Sequence, residues 1–167
     1  MEKRKTTIAI CASAAFYEYV FEVEAELKKM GFAVKIPYTA EQMRKNGNFQ
    51  AEIYKVWLKK QSAPEQKKAW ARKAWLMRNH MRKVVLSDAT LVVNLEKNGI
   101  AGYIGGNVLI EMSSAFLLKK PIFILNPLAE GRLGYEEEIL GMQPVFLNGS
   151  LAGIKEKLGG RRWQRRK

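Results

Sequence analysis

Glu111 is the residue whose type and position point most directly to chemistry, because its carboxylate stands in the otherwise apolar segment Tyr103 to Phe116. Gly105 and Gly106 precede it and predict a turn in which the backbone can approach a ligand closely, and Asn107 is predicted to cap the helix that follows. A capping-box glutamate would occupy position 110, so Glu111 comes one residue too late for that role. The carboxylate can therefore act on a bound ligand. A simple favourable interaction with the helix dipole is the alternative that the sequence leaves open.

The segments on either side of this helix predict the elements that position it. A β-rich apolar run, Ala89 to Leu95, precedes the Gly-rich turn. A second apolar run, Ile122 to Leu125, follows Pro121, where the helix should have ended. In such a strand, loop, helix, strand unit the helix N-terminus lies at the carboxyl edge of a parallel sheet, where unpaired amides and the helix dipole favour anionic ligands.

The amino-terminal part of the chain predicts the opening of an α/β sheet. Thr6 to Cys11 is short, apolar and β-branched, as in a strand buried on both faces. Ala14 to Met30 has apolar residues at helical spacing, and Phe32 to Ile36 predicts a second strand. With the two later runs and an edge strand at Val145 to Leu147, we predict a three-layer, flavodoxin- or Rossmann-like parallel sheet of about five strands with helices on both faces.

The remaining segments are predicted to surround that sheet. Tyr38 to Phe49 is polar and contains the sequence Asn-Gly-Asn, which predicts a mobile loop over the site. Helices are predicted over Ala51 to Gln61, Glu65 to Leu86, Tyr135 to Leu140 and Leu151 to Leu158.

Length and composition narrow the class of protein. The chain has 167 residues, 47% of them apolar, which predicts one domain over residues 1–160 followed by a basic tail over residues 161–167. Cys11 is the only cysteine and His80 the only histidine. We therefore expect no disulfide, no metal site built from cysteines or from histidines, and no redox cofactor. Neither a long apolar run nor a signal peptide is visible, so we predict a cytoplasmic protein that does not enter a membrane.

The positive charge of the chain is concentrated in two segments. The formal net charge is +13, with 12 Lys or Arg against 3 acidic residues from Glu41 to Val85 and 5 basic residues from Arg161 to Lys167. A local basic surface favours phosphate-bearing partners, either nucleotides or nucleic acid. For the middle segment, a solvated and highly charged helical face is the alternative that remains open.

Ser87-Asp88-Ala89 stands before the apolar strand, and the Gly-Gly-Asn turn stands before a glutamate-bearing helix that ends at Lys-Lys-Pro. In these motifs and their order the chain resembles the nucleoside 2-deoxyribosyltransferase-like superfamily. The resemblance implies a Rossmann-like fold and cleavage or transfer of the N-glycosidic bond of a nucleoside or nucleoside 5′-monophosphate. It also implies that Glu111 attacks the anomeric carbon as a carboxylate nucleophile and that the protein is a homo-oligomer. The sequence itself suggests no cofactor.

The resemblance also assigns roles around that nucleophile. His80 stands where the family carries a second acid, about two helical turns before Ser87, and could protonate the leaving base. A packing role for His80 and an N-cap role for Ser13 remain open. The residues expected to bind the substrate are Ser13, Tyr17, Asn94, Gly105, Gly106 and Asn107, with Tyr17 stacking on the base. The alternative function is a catalytically silent nucleotide- or nucleic-acid-binding module of the same fold.

Overall fold

The structure is a computed structural model and describes residues 4–47 and 63–160. The helix predicted over residues 51–61 and the basic tail over residues 161–167 lie outside the described residues.

Five parallel strands form one sheet in the order β2-β1-β3-β4-β5. In β1 and β3 almost every residue is buried, because helices cover both faces of the sheet. The predicted fold class, a three-layer α/β sheet of the Rossmann type, is confirmed. The strands are β1 (Thr7–Ala12), β2 (Ala33–Lys35), β3 (Ala89–Val93), β4 (Ile122–Ile124) and β5 (Val145–Phe146).

Six α-helices lie within the described residues and cover the sheet from its two sides. Val20 and Leu27 of the first helix and Ile154 of the last pack on one face, whereas Val84 and Met112 of the third and fourth helices pack on the other. A short 3-10 turn, Ala14–Phe16, leads from β1 into the first helix. The helices are α1 (Tyr17–Lys29), α2 (Tyr38–Asn46), α3 (Ala63–Val85), α4 (Gly106–Leu117), α5 (Glu136–Gly141) and α6 (Ala152–Gly160).

The prediction of a mobile loop over residues 38–49 is wrong for residues 38–46, because these form α2. Ala40 is fully buried against the core on the α1 side of the sheet. Arg44 Nη1 donates to Glu24 Oε2 on α1 at 2.7 Å, and Gly47 ends the helix with a φ of 62°, a conformation that glycine adopts without strain. Contacts with α1 therefore stabilise a helix whose own sequence is mostly polar.

The strand order places the topological switch point between β1 and β3. These two strands are paired in register, with Cys11 beside Val92. From them the chain runs on in opposite directions across the sheet, so the loops that follow their carboxyl ends leave a crevice between them. Ser13 and Asn94 are the residues that begin this crevice. Among residues 4–47 and 63–160, no helix combines the length and the apolar character that a membrane crossing requires.

Candidate functional site

The helix that carries Glu111 begins two residues earlier than predicted. Gly105 is the N-cap, with an extended backbone (φ −91°, ψ 163°), and its carbonyl accepts the amide of Leu109 at 3.0 Å. The prediction of Asn107 as N-cap is therefore wrong, because Asn107 is the second helical residue and its side chain is exposed. Glu111 lies in the second turn, beyond the first-turn positions where acidic residues interact best with the helix dipole.

The two glycines at the start of this helix, the N-cap Gly105 and the first helical residue Gly106, serve different purposes. A Cβ on Gly105 would lie 3.3 Å from a ring carbon of Tyr103, so the packing of that ring favours glycine. A Cβ on Gly106 would meet nothing within 4 Å, and the residue is exposed. The amides of Gly106 and Asn107 belong to the first turn, which lacks intrahelical acceptors, so they stay candidate ligands for an anion.

Glu111 is one of three chemically active side chains that the fold brings together inside the α3 and α4 side of the sheet. Cys11 on β1, His80 on α3 and Glu111 on α4 are all buried, and their ligand-type atoms lie within 4.8 Å of one another. Glu111 Oε2 and His80 Nε2 are 3.6 Å apart, and the two side chains are 12% and 6% exposed. Three separate elements thus converge on one small polar cluster in an apolar layer.

Burial is the largest cause of the pKa shifts of all three side chains in this cluster. It raises the pKa of Glu111 from 4.5 to about 8, although a hydrogen bond from the Cys11 thiol and the charge of Lys73 act in the opposite direction. Burial also lowers the pKa of His80 from 6.5 to about 4, with the Lys83 charge adding to the effect. The pKa of the Cys11 thiol is raised well above its usual range, first by burial and then by Glu111. At neutral pH all three groups are therefore neutral.

Polar atoms of the cluster are left without partners. Within the described part of the chain, both ring nitrogens of His80 and Oε2 of Glu111 are buried and accept or donate no hydrogen bond of ordinary geometry. The Ile10 backbone lies close enough to His80 to oppose its pKa shift in part. An unsatisfied buried polar group destabilises a protein by about 1–3 kcal/mol, so such atoms are rarely left unpaired without a reason.

The crevice between the loops after β1 and β3 holds a positive charge. Lys97 Nζ donates to Ser13 Oγ at 2.9 Å and lies 5.1 Å from the centre of the Tyr103 ring. Ser13 makes no capping hydrogen bond to the 3-10 turn that follows it. The structure therefore places Ser13, one predicted substrate ligand, beside a cation at the switch point.

Tyr17 and Asn94 are held by the protein itself. The Tyr17 hydroxyl is 2.7 Å from Thr39 Oγ1, and its pKa is raised to about 12 by burial, with Glu111 a smaller contributor. Asn94 is fully buried; its amide donates to the carbonyls of Gly102 and Asn126, and its Oδ1 accepts the amide of Asn126. Asn94 thus ties the loop after β3 to the segment that follows β4.

Sequence reasoning missed two residues of this site. Lys97 was not singled out, although its position in the loop after a central strand was a sufficient signal. The counts of one cysteine and one histidine exclude a metal site built from cysteines alone or from histidines alone, and they do not connect Cys11 with His80. The contact of Cys11 with Glu111 and His80 depends on which helices cover β1, and the sequence pattern does not give that.

The described surface also has two shallow depressions away from this cluster. One, of about 180 Å³, is lined by Trp75, Arg78, Asn79 and Arg82 on the outer side of α3. The other, of about 420 Å³, lies around Gly131 and the acidic start of α5. A scan of protein-family models and a search of curated proteins each return no match to the chain.

Proposed function

We propose that the protein cleaves or transfers the N-glycosidic bond of a nucleoside or nucleoside 5′-monophosphate, with Glu111 as the carboxylate nucleophile. The observation that carries the proposal is the buried pair of Glu111 and His80, 3.6 Å apart, beside the carboxyl end of β1. Cleavage at an anomeric carbon passes through a transition state with oxocarbenium character. Such a reaction needs a carboxylate on one side of the sugar and a proton source for the leaving base.

The pair supplies both groups and conserves the proton between them. In the first step the Glu111 proton passes to His80, the carboxylate attacks C1′, and the C1′–N bond breaks with its electrons moving to the base. The base takes the proton from the His80 imidazolium. In the second step water or an acceptor base attacks C1′, the bond to Glu111 breaks, and the released proton restores the neutral pair. Burial disfavours the negative charge of ionised Glu111. The positive charge that develops on the sugar in the transition state attracts this carboxylate and so stabilises it.

The crevice beside the pair suits the remainder of such a substrate. Ser13 supplies a hydroxyl and Lys97 a positive charge at the switch point, where sugar and phosphate groups bind in open α/β sheets. The amides of Gly106 and Asn107 supply donors at a helix N-terminus. We assign the 5′-phosphate to Lys97 and these amides, and the sugar hydroxyls to Ser13. Tyr17 is only 7% exposed and belongs to the core on the α1 side of the sheet, so we assign it no contact with the base.

A substrate screen tests the proposal. Purified protein is incubated with ribo- and deoxyribonucleosides and their 5′-monophosphates, with and without a second free base, and released base is measured by chromatography. We expect release from at least one compound and its loss in Glu111→Gln. Absence of release from every compound, with saturable nucleotide binding, would contradict the enzymatic proposal and favour a silent binding module.

The binding module is the second candidate, and the outer side of α3 is the observation that favours it. Arg78 and Arg82 line the depression beside Trp75, and further exposed basic residues continue along the helix. Trp75, however, already makes an edge contact with Tyr38 and lies under Arg72 at 4.6 Å. Its ring is thus partly used within the protein, which makes base stacking on it less favourable. A binding module would lose affinity for nucleic acid steeply with added salt.

We also propose that the protein is a homo-oligomer, as the resemblance implies. Large apolar side chains on the outer surface of α3 and α4 support this: Trp70 is 58% exposed, Phe116 52% and Leu117 80%. A contiguous exposed apolar patch is typical of a surface that another protein chain covers.

A further inference from the structure

We propose that Cys11 Sγ, a ring nitrogen of His80 and a carboxylate oxygen of Glu111 form a binding site for Zn²⁺. The three donor atoms come from β1, α3 and α4 and lie within 4.8 Å of one another. Donors bound to a tetrahedral zinc ion at about 2.0–2.3 Å stand roughly 3.5 Å apart. The 3.6 Å between His80 Nε2 and Glu111 Oε2 already has that value, so only small side-chain movements are needed.

The unpartnered atoms of the cluster are the second line of support. Within the part of the chain that the structure describes, His80 Nδ1 and Nε2 and Glu111 Oε2 are buried and lack hydrogen-bond partners. A metal ion would bind one His80 nitrogen and the free carboxylate oxygen, and would so remove the destabilisation that unsatisfied buried groups cause. The His80 side chain is only 6% exposed, so water does not offer an equivalent partner.

Charge balance favours a divalent ion at this position. A Cys11 thiolate and a Glu111 carboxylate carry one negative charge each, and a neutral His80 carries none, so the complex with Zn²⁺ has no net charge. A neutral complex avoids the large desolvation penalty of an isolated buried ion.

The combination of donors favours Zn²⁺ over Mg²⁺ and Ca²⁺. Sulfur, imidazole nitrogen and carboxylate oxygen together suit Zn²⁺, whereas Mg²⁺ and Ca²⁺ prefer oxygen alone. Three protein ligands leave a fourth coordination position for water or another small ligand, as in catalytic zinc sites.

This inference goes beyond the proposed N-glycosidic function and does not rest on it, because metal binding is measured without any nucleoside. The two share Glu111, however. A carboxylate oxygen bound to zinc is not free to attack C1′, so zinc should inhibit base release and a chelator should restore it, if the proposed function holds.

The test uses the full chain without a histidine tag. After treatment with a chelator and its removal, the protein receives Zn²⁺, is passed through a desalting column, and is assayed for zinc by mass spectrometry. A parallel sample receives Co²⁺, whose bond to a thiolate gives a charge-transfer band in the near ultraviolet. Because the chain has one cysteine, that band can come only from Cys11. Cys11→Ser, His80→Gln and Glu111→Gln are compared with Glu138→Gln, an exposed glutamate on α5.

The expected result is about one zinc per chain, a thiolate band with cobalt, and zinc binding weakened at least about 100-fold in the three cluster variants but not in Glu138→Gln. Circular dichroism shows whether each variant is folded. The cobalt spectrum needs only the wild-type chain, so the test remains valid if a variant fails to fold. Zinc retained equally by wild type and folded Cys11→Ser, or cobalt bound without a thiolate band, would overturn the proposal. Base release in the presence of chelator reports separately on the proposed function.

Discussion

Glu111 Oε2 lies 3.6 Å from His80 Nε2, in a buried space that β1, α3 and α4 enclose. The two residues come from different helices, and only the packing of those helices side by side on one face of the sheet joins them. Burial acts on them in opposite senses, because it disfavours the charged form of each: the pKa of Glu111 rises and that of His80 falls. The pair can therefore hold a single proton whose position depends on nearby charge.

If His80 delivers the proton to the leaving base, His80→Gln should affect substrates according to their need for that proton. We expect base release from ordinary nucleosides to slow by about 10²- to 10⁴-fold, as for loss of a general acid. In a nucleoside such as nicotinamide riboside the base is already cationic. That base leaves in its neutral form, so it needs no proton. Cleavage of this nucleoside still needs His80 to accept the Glu111 proton, so the same variant should slow it less than it slows ordinary nucleosides. Equal losses for both kinds of substrate would show that His80 does not protonate the leaving base.

Lys97 provides a test of phosphate recognition. Lys97→Met should raise KM for the 5′-monophosphate about tenfold, because a charge-assisted hydrogen bond is lost, and should leave KM for the matching nucleoside nearly unchanged. Lys155→Met, an exposed lysine on α6, is the matched control for charge. Steady-state kinetics on the two substrates gives the answer. A similar KM change for nucleoside and monophosphate would show that Lys97 does not contact the phosphate.

Much of the fold was predictable because its elements have local signals. The buried runs of β1 and β3 and the apolar spacing of α1 each identify themselves within a few residues. Helix α2 has no such local signal, because its stability comes from contacts with α1 such as the hydrogen bond from Arg44 to Glu24. Propensity is a weak guide where tertiary contacts decide.

The candidate site was predictable only in part, for a related reason. The switch-point rule brings Ser13 and the loop after β3 together from the strand order alone. The meeting of Cys11, His80 and Glu111 requires knowing that α3 and α4 cover the same face of β1. No local pattern in the sequence carries that information.

The pKa of Glu111 predicts how the stability of the metal-free protein depends on pH. The native state keeps a proton on Glu111 up to pH about 8, whereas a free glutamate loses it near pH 4.5. The free energy of unfolding should therefore fall as pH rises through this range, by an amount on the order of 4 kcal/mol. His80 acts in the opposite sense between about pH 4 and pH 6.5, because its pKa is lowered.

Comparison with Glu111→Gln isolates the glutamate, because His80 is present in both proteins. Urea unfolding in the presence of chelator at about pH 5, 7 and 9 should show the variant gaining stability relative to wild type as pH rises. A constant difference across that range would mean that Glu111 is not proton-bound in the native state.

The oligomer proposal is tested at the apolar surface of α4. Leu117 is 80% exposed, so Leu117→Lys should leave the fold of a single chain intact while disrupting an interface that covers this residue. Light scattering coupled to gel filtration should give a multiple of 19.1 kDa for the wild type and a lower mass for the variant. A wild-type mass of one chain would exclude the homo-oligomer under those conditions.

The measurement that tests the central claim most directly is base release by wild type, Glu111→Gln and Glu138→Gln on the best substrate of the screen, with chelator present. Glu138 is an exposed glutamate outside the cluster, so its variant controls for the chemical change alone. We predict that Glu138→Gln keeps wild-type kcat/KM and that Glu111→Gln loses it by at least about 10³-fold while remaining folded by circular dichroism. Undiminished base release by folded Glu111→Gln would contradict the assignment of Glu111 as the nucleophile.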